Sequence, residues 1–325
     1  MDYSRRSGEL LQDYFVRLFE NRGAYGLDYE EIARLLNHET GSGKGESAYR
    51  KEYAAFHRGR LYERNLLEEK GTLRILSCSD FHFPFNLPVE IFSDYVGRVD
   101  ILQLNGDIVD MFAISRFPKS YRISPMEEII GCRQYIIDLV EYLAPREVVV
   151  TYGNHESRFG MYFAKNLDSD LLELMPETAL DLIFDDGFTH YDKKSKSKVW
   201  YEPLGRVFSG IRVEYAKNWF CQIGKTVFCH PRAFSSGIMK TSEKAMLWFR
   251  NEGFDFDCLV MAHTHRMGEY LIGNTVIYEQ GTCCDIAKND YNNGALVNSQ
   301  KQGFLYLCQD SGGNLVKGKT RLVAV

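Results

Sequence analysis

The chain has 325 residues, 45% of them hydrophobic and 26% charged, the balance of an ordinary soluble globular protein, and this excludes disorder as its main state. With 39 Lys and Arg against 44 Asp and Glu the net charge is −5, so the chain is no general polyanion binder and affinity for nucleic acid has to come from a local basic patch. No apolar run approaches the roughly 18–20 residues of a membrane span, and Met1-Asp2-Tyr3-Ser4-Arg5-Arg6 leads into no apolar signal core, so a cytoplasmic protein with no membrane partner is expected.

The first 70 residues read as a helical segment. Residues 29–36 place apolar side chains at helical spacing behind Asp28, a candidate N-cap. A polar, Gly-rich break follows over 38–45. A second helical run over 46–70 sets Tyr49, Tyr53, Phe56 and Leu61 on one side, with Arg50, Lys51, Arg58, Arg60 and Arg64 on another. The outline is that of a helix-turn-helix unit with a longer connector, which makes Arg50, Lys51 and Arg58 candidate nucleic-acid contacts. The competing reading is a helical cap with a solvated charged face.

From residue 71 to 325 the pattern is that of a second domain. Short apolar runs over 72–78, 99–104 and 147–151 predict buried strands, and an amphipathic helix over 125–143 lies between the last two. Further strands are predicted over 219–223, 226–230, 258–262, 268–272, 275–279 and 304–308, interrupted by a helix over 239–251. The β–α–β rhythm followed by a strand cluster predicts an α/β protein, two sheets flanked by helices. The eight cysteines include no C-x-x-C pair, which excludes a zinc ribbon or thioredoxin motif and predicts buried reduced thiols. Gly313 to Thr320 spells G-x-x-x-x-G-K-T, but only five strand-like residues follow, so a hairpin turn is predicted rather than a phosphate loop opening a helix.

The chemistry gathers at strand ends. Five of the eight histidines, His82, His155, His230, His263 and His265, fall there with Asp80, Asp107 and Asn154. In open α/β sheets, loops leaving strand ends build the ligand site. Asp and His supply oxygen and imidazole donors, suited to Mn, Fe, Zn or Ni. Asp80-Phe81-His82 and His263-Thr264-His265 each place two donors on one side of an extended chain. Gly106 and Gly153 let the backbone turn tightly before Asp107 and Asn154. Seven donors exceed one ordinary site and suit two metals sharing a carboxylate, about 3.5–4 Å apart. His38, His57 and His190 have no partners at ligand spacing and read as structural or surface residues.

In order, Asp80-Phe81-His82, Gly106-Asp107-Ile108-Val109-Asp110, Gly153-Asn154-His155-Glu156, His230 and His263-Thr264-His265 resemble the five motifs of the calcineurin-like metallophosphoesterase superfamily, over about residues 72–309. Pro231 and Ala262 stand where many members have Gly, and neither change removes a donor. The resemblance implies a four-layer α/β/β/α metallophosphoesterase sandwich carrying the N-terminal helical segment, and hydrolysis of a phosphoester with two divalent ions, Mn2+ first, with Fe, Zn, Ni or Mg as alternatives. It implies Asp80, His82 and His265 at one ion, Asn154, His230 and His263 at the other, and Asp107 bridging. His155 would act as general acid or phosphate contact, oriented by Asp110.

Arg158, three residues beyond His155, is a candidate fork for phosphate oxygens, with a surface ion pair as the alternative. The protein phosphatases of the superfamily carry D-R-G after the second motif and Arg before G-N-H-E, where this chain has Asp110-Met111-Phe112 and Tyr152. Their absence argues against a protein phosphatase. Together with the N-terminal segment it favours a nuclease-type phosphodiesterase with nucleic acid as substrate, similar to metallophosphoesterases of bacterial phages and prophages. A phosphatase or phosphodiesterase for a small-molecule or protein phosphoester is the alternative, and an inactive nucleic-acid-binding module the third reading.

Overall fold

In the computed structural model the chain divides into two compact units, Met1–Glu68 and Glu69–Val325. The structure describes residues 3–6, 8–66, 71–115, 123–193, 196–208, 210–288 and 299–325; of 60–66, which include Arg60, Leu61 and Arg64 of the second helical run, it describes the backbone alone.

The first unit holds α1 (Leu11–Glu20), α2 (Arg22–Tyr25), α3 (Tyr29–Thr40) and α4 (Glu46–Leu66). Asp28 caps α3 in a reciprocal box: its carboxylate accepts the Glu31 N–H at 2.7 Å, and Glu31 accepts the Asp28 N–H at 2.8 Å. α3 runs four residues past the expected end, until Gly41 stops it at φ 65°. Tyr14 and Leu18 of α1 pack with Ile32, Leu36 and Tyr49 into a core belonging to this unit. α1 has no counterpart among the predicted elements.

The second unit carries two sheets and a hairpin. The first sheet contains β1 (Leu73–Cys78), β2 (Ile101–Asn105) and β3 (Glu147–Thr151); the hairpin is β4 (Phe188–Asp192) with β5 (Ser197–Tyr201). Next come β6 (Arg212–Tyr215), then β7 (Phe220–Ile223), β8 (Thr226–Cys229), β9 (Cys258–Met261), β10 (Met267–Ile272) and β11 (Thr275–Gln280), and last β12 (Gly303–Gln309) and β13 (Arg321–Ala324). Strand order is β13-β12-β1-β2-β3-β6 in one sheet and β10-β11-β9-β8-β7 in the other. The helices are α5 (Pro125–Leu143), α6 (Ser157–Asn166), α7 (Ser169–Leu172), α8 (Ala179–Asp181), α9 (Leu204–Val207) and α10 (Lys240–Asn251).

Apolar faces stack these pieces in four layers. Ile75, Ile101, Val149, Leu305 and Leu307 of the first sheet meet Phe228, Val260, Val276 and Tyr278 of the second. The outer face of the first sheet packs on α5 through Ile129, Ile136, Leu139, Val140 and Leu143. The outer face of the second packs on α10 through Ala245, Met246 and Phe249. α5 keeps its predicted bounds because Ser124 and Glu127 box its start and Pro125 takes the first turn. The strands β1, β2, β3, β8 and β9 are buried almost end to end, as parallel central strands covered on both faces must be. β12 and β13 pair antiparallel, so the P-loop-like string lies in the connection between two strands. All eight cysteines are free thiols, and seven are buried.

β1, β2 and β3 pair parallel, and so do β8 and β9. Every metal-donor candidate therefore leaves a carboxyl end: Asp80 and His82 after β1, Asp107 after β2, Asn154 after β3, His230 after β8, His263 and His265 after β9.

Near the start of the first unit, Arg17 forks onto Glu9 at 2.7 and 2.9 Å and the Arg6 N–H adds 2.9 Å. The Arg17 hydrogen bonds hold the Glu9 carboxyl down at about 2. Because the folded value lies below the unfolded one, this stabilisation is complete above pH about 4.5 and is lost as pH falls toward 2. We expect Glu9→Gln to destabilise the unit by about 1–2 kcal/mol at pH 7 after allowing for solvent screening, and the deficit to shrink at pH 3, read by hydrogen exchange of α1 amides in the full chain. A deficit independent of pH would contradict the ion-pair account.

Candidate metal centre

The loops after the strands bend sharply. Asp80, His82, Asp107, His263 and His265 all have positive φ, between 49° and 72°. Such φ values are uncommon for residues with a Cβ, and clusters of them mark positions that the surroundings over-determine. Two glycines make the approach possible. A Cβ on Gly106 would lie 2.7 Å from the Gly153 nitrogen and from His230 Nδ1, and one on Gly153 would lie 2.1 Å from Asp107 Oδ1. Glu156 then ties the two loops: its buried carboxylate accepts N–H bonds from Asp107 (3.0 Å), Ile108 (2.6 Å), Val109 (3.0 Å) and Gly153 (2.7 Å). Burial and the neighbouring Asp107 push Glu156 up to about 7, against the pull of those amides.

Among the described residues the ligand-type side chains gather in three groups, one of which is His82 with Asp110 and His155. Asp80, His82 and His265 form the second, with His265 Nε2 3.2 Å from Asp80 Oδ1 and 3.1 Å from His82 Nε2. Asp107, His230 and His263 form the third, with His230 Nε2 3.2 Å from Asp107 Oδ2. Asp107 Oδ2 also lies 4.0 Å from His82 Nε2, so this carboxylate faces both of these last groups. Asn154, an amide donor, presents a buried Oδ1.

Hydrogen bonds at the far nitrogens set the imidazole tautomers. His230 Nδ1 donates to the Asn105 carbonyl (2.8 Å), His265 Nδ1 to Gln300 Oε1 (2.9 Å) and His82 Nδ1 to Asp110 Oδ1 (3.1 Å). With Nδ1 so engaged, Nε2 is the nitrogen that points inward in each ring, the arrangement that metal-ligating histidines share. His155 Nδ1 lies 2.8 Å from the same Asp110 oxygen, so Asp110 orients two imidazoles rather than one. Arg158 donates to the Asp110 carbonyl (2.8 Å) and to His155 Nε2 (2.8 Å). Its guanidinium is thus held at the site, where it also pairs with Asp110 Oδ2 at 3.4 Å.

The buried charges in this pocket shift one another strongly. Burial alone would raise Asp80, but His230 and His265 hold it at about 2, and Asp107 is likewise driven well below the carboxylate range by His155 and His230. Burial lowers His82 and His263 to about 4, while Asp107 and Asp80 overcome burial at His230 and lift it to about 10. Asp80 Oδ1, Asn154 Oδ1, His230 Nε2 and His263 Nε2 are buried without hydrogen-bond partners among the described residues. Buried polar atoms are rarely left so, and two oxygens with two imidazole nitrogens, which bind metal once deprotonated, make a donor set that fits divalent cations.

Sequence reasoning gave no role to Glu156, although it stands in the quoted motif, nor to Gln300, which lies 35 positions from its partner His265. Glu128 of α5 was also missed; it accepts the Phe112 and Ala113 N–H groups at 2.7 and 3.1 Å and fixes the turn after Asp110. His38 is exposed, His57 stacks on Tyr53 and His190 lies in β4; none joins a metal-type cluster among the described residues.

Residues 73–267, more than half of the chain, match the calcineurin-like phosphoesterase family, and the chain belongs to it. The family's activity is metal-dependent phosphoester hydrolysis. Residues 1–67 match the YonJ N-terminal domain. Over 67 residues the chain is 45% identical to the SPbeta prophage-derived uncharacterized protein YonJ of Bacillus subtilis strain 168, a match that covers 21% of this chain and 16% of that relative's length. Similar solved structures include Vacuolar Protein Sorting 29 of Cryptosporidium parvum, at 16% identity, covering 79% of this chain and 98% of that one with a TM-score of 0.36. Zinc-complexed Vps29 of Entamoeba histolytica is 16% identical over 78% of this chain and 98% of its own, TM-score 0.38. An archaeal phosphodiesterase is 14% identical over 78% and 100%, TM-score 0.32. Among the described residues no helix is long and apolar enough to cross a membrane.

Removing the Glu156 carboxylate strands four buried amides, so Glu156→Ala should cost about 3–5 kcal/mol of stability. Urea denaturation checks this; a loss below about 1 kcal/mol would show that the two loops hold together without it.

Proposed function

We propose that the protein is a two-metal phosphodiesterase that cleaves nucleic acid. In this reading Asp80, His82 and His265 hold one divalent ion, Asn154, His230 and His263 the other, and Asp107 is shared. When bound, such ions neutralise phosphoryl oxygens and acidify water at the site, with Mn2+ the first choice for this mixed oxygen and imidazole set. The chain's own contribution is positional. Asp110 accepts a hydrogen bond from His155 Nδ1 and so fixes which nitrogen faces inward. His155 Nε2 lies 3.7 Å from Asp107 Oδ2, at the edge of the donor cluster, where, once released from the Arg158 N–H that it accepts and protonated, it would meet a leaving-group oxygen. Arg158, already hydrogen-bonded to that nitrogen, supplies a guanidinium able to turn onto a phosphate oxygen.

The observation that supports nucleic acid over other phosphoesters is the cationic face of α4. Arg50, Lys51 and Arg58 are exposed and fall within an arc of about 100° on the helix. Arg50 is steadied by Glu46 at 3.5 Å and lies over the Tyr29 ring. In a chain of net charge −5 such a face is a local positive feature. Met111, at the position where the protein-phosphatase branch has arginine, is buried in the core, so no cation for a protein phosphoester replaces the missing one there.

His155→Ala should lower the rate on a small chromogenic phosphodiester by about 10²–10⁴-fold, the usual worth of a general acid or base, while elemental analysis finds the wild-type metal content. Loss of metal in this variant would make His155 a ligand instead. Charge reversal at Arg50, Lys51 and Arg58 should weaken binding of DNA or RNA and flatten its salt dependence, by a slope of about 0.7–0.9 per phosphate contact removed, with hydrolysis of the small diester unchanged. Unchanged nucleic-acid affinity and salt slope would leave the first unit as a structural cap.

A further inference from the structure

Next to the donor cluster lies a cavity of about 530 Å³, within the range of roughly 300–1,000 Å³ typical of small-molecule sites. We infer that this cavity is a stacking subsite for one nucleobase beside the scissile phosphate, an inference that rests on the phosphodiesterase reading. Its inner wall is the metal-donor candidate His230 with Gly153, so whatever fills it adjoins the reacting phosphoryl group.

The opposite wall is one face of α10. Thr241, Lys244, Ala245 and Trp248 line it at i, i+3, i+4 and i+7. Trp248 is 41% exposed although it is the largest type of side chain, and its ring lies 5.2 Å from that of Trp219, which lines the same cavity. Tyr152 adds a third aromatic. Two cations complete the lining, Arg232 and Lys244, both exposed and neither in an ion pair among the described residues. Among the described residues no carboxylate lines the cavity.

This combination selects the ligand. Flat aromatic surface left open to solvent suits a planar ring, and base–aromatic stacking is tolerant of which base is offered. Unpaired cations on the same walls suit the flanking phosphate and repel cationic ligands. Trp219 and Trp248 also pack on Phe220 and Phe249, and a phosphorylated protein side chain would use Arg232 and Lys244 but not the face of Trp248 that stays open to solvent. A sugar phosphate would use less of the aromatic face than a nucleotide.

The test needs no turnover. The sequence contains three tryptophans. In a Trp200→Phe background only the two cavity tryptophans report. With metals removed by chelation, adenosine 5′-monophosphate should quench their fluorescence and bind at least about tenfold more tightly than ribose 5-phosphate or inorganic phosphate. Adding Lys244→Glu should weaken that binding, and adding Trp248→Ala, read by calorimetry, should weaken it about tenfold while leaving ribose 5-phosphate unaffected. Equal binding of the nucleotide and the sugar phosphate, or no binding of either, would overturn the subsite. If DNA and RNA are hydrolysed while the nucleotide fails to bind, the subsite alone falls. If the nucleotide binds as predicted and no nucleic acid is hydrolysed, the subsite stands and the polymeric substrate is wrong.

Discussion

Three carboxylates and five imidazoles converge in a pocket that is buried or nearly so. An uncompensated buried charge costs several kcal/mol. His230 is lifted to about 10 because Asp107 and Asp80 draw positive charge into the pocket against the opposing cost of burial. Divalent cations answer the same demand and also give Asp80 Oδ1, Asn154 Oδ1, His230 Nε2 and His263 Nε2 the partners that no described residue offers. Much else in the second unit follows from keeping this cluster assembled.

Assembly begins with topology. Parallel pairing of β1, β2 and β3 in one sheet and of β8 and β9 in the other sends every donor out of a carboxyl end. Pairing alone does not aim the side chains. The left-handed turns at five donors do that, and they persist because other groups over-determine them. Glu156 gathers four amides, Asn105 and Gln300 orient imidazoles, and Asp110 holds both His82 and His155. These four residues hold the donors in place without belonging to the ligand set, which is why substitutions outside that set are expected to disturb it.

Much of this was legible in the residues, for identifiable reasons. β3 and α5 fall on their predicted bounds because an uninterrupted apolar run and a boxed N-terminus with Pro leave little freedom. The donors were readable because Asp and His recur at strand ends with glycines beside them. α1 was missed because its N-cap position, Leu10, offers no side-chain cap and the flanking sequence is polar. The β4–β5 hairpin was missed because half its residues face solvent and Lys and Asp dilute the strand pattern. Gln300, Glu128 and the inward pose of Arg158 are long-range consequences of folding that no local spacing announces. The cavity beside His230 draws on three loops and α10, so it too emerges only in three dimensions.

The central claim is that Asp107 stands between two cation sites, and anomalous diffraction from crystals equilibrated with Mn2+ tests it most directly. The account predicts two peaks about 3.5–4 Å apart, one against Asp80, His82 and His265, the other against Asn154, His230 and His263, with Asp107 contacting both. A single peak, or a peak held instead by His82, Asp110 and His155, would contradict it.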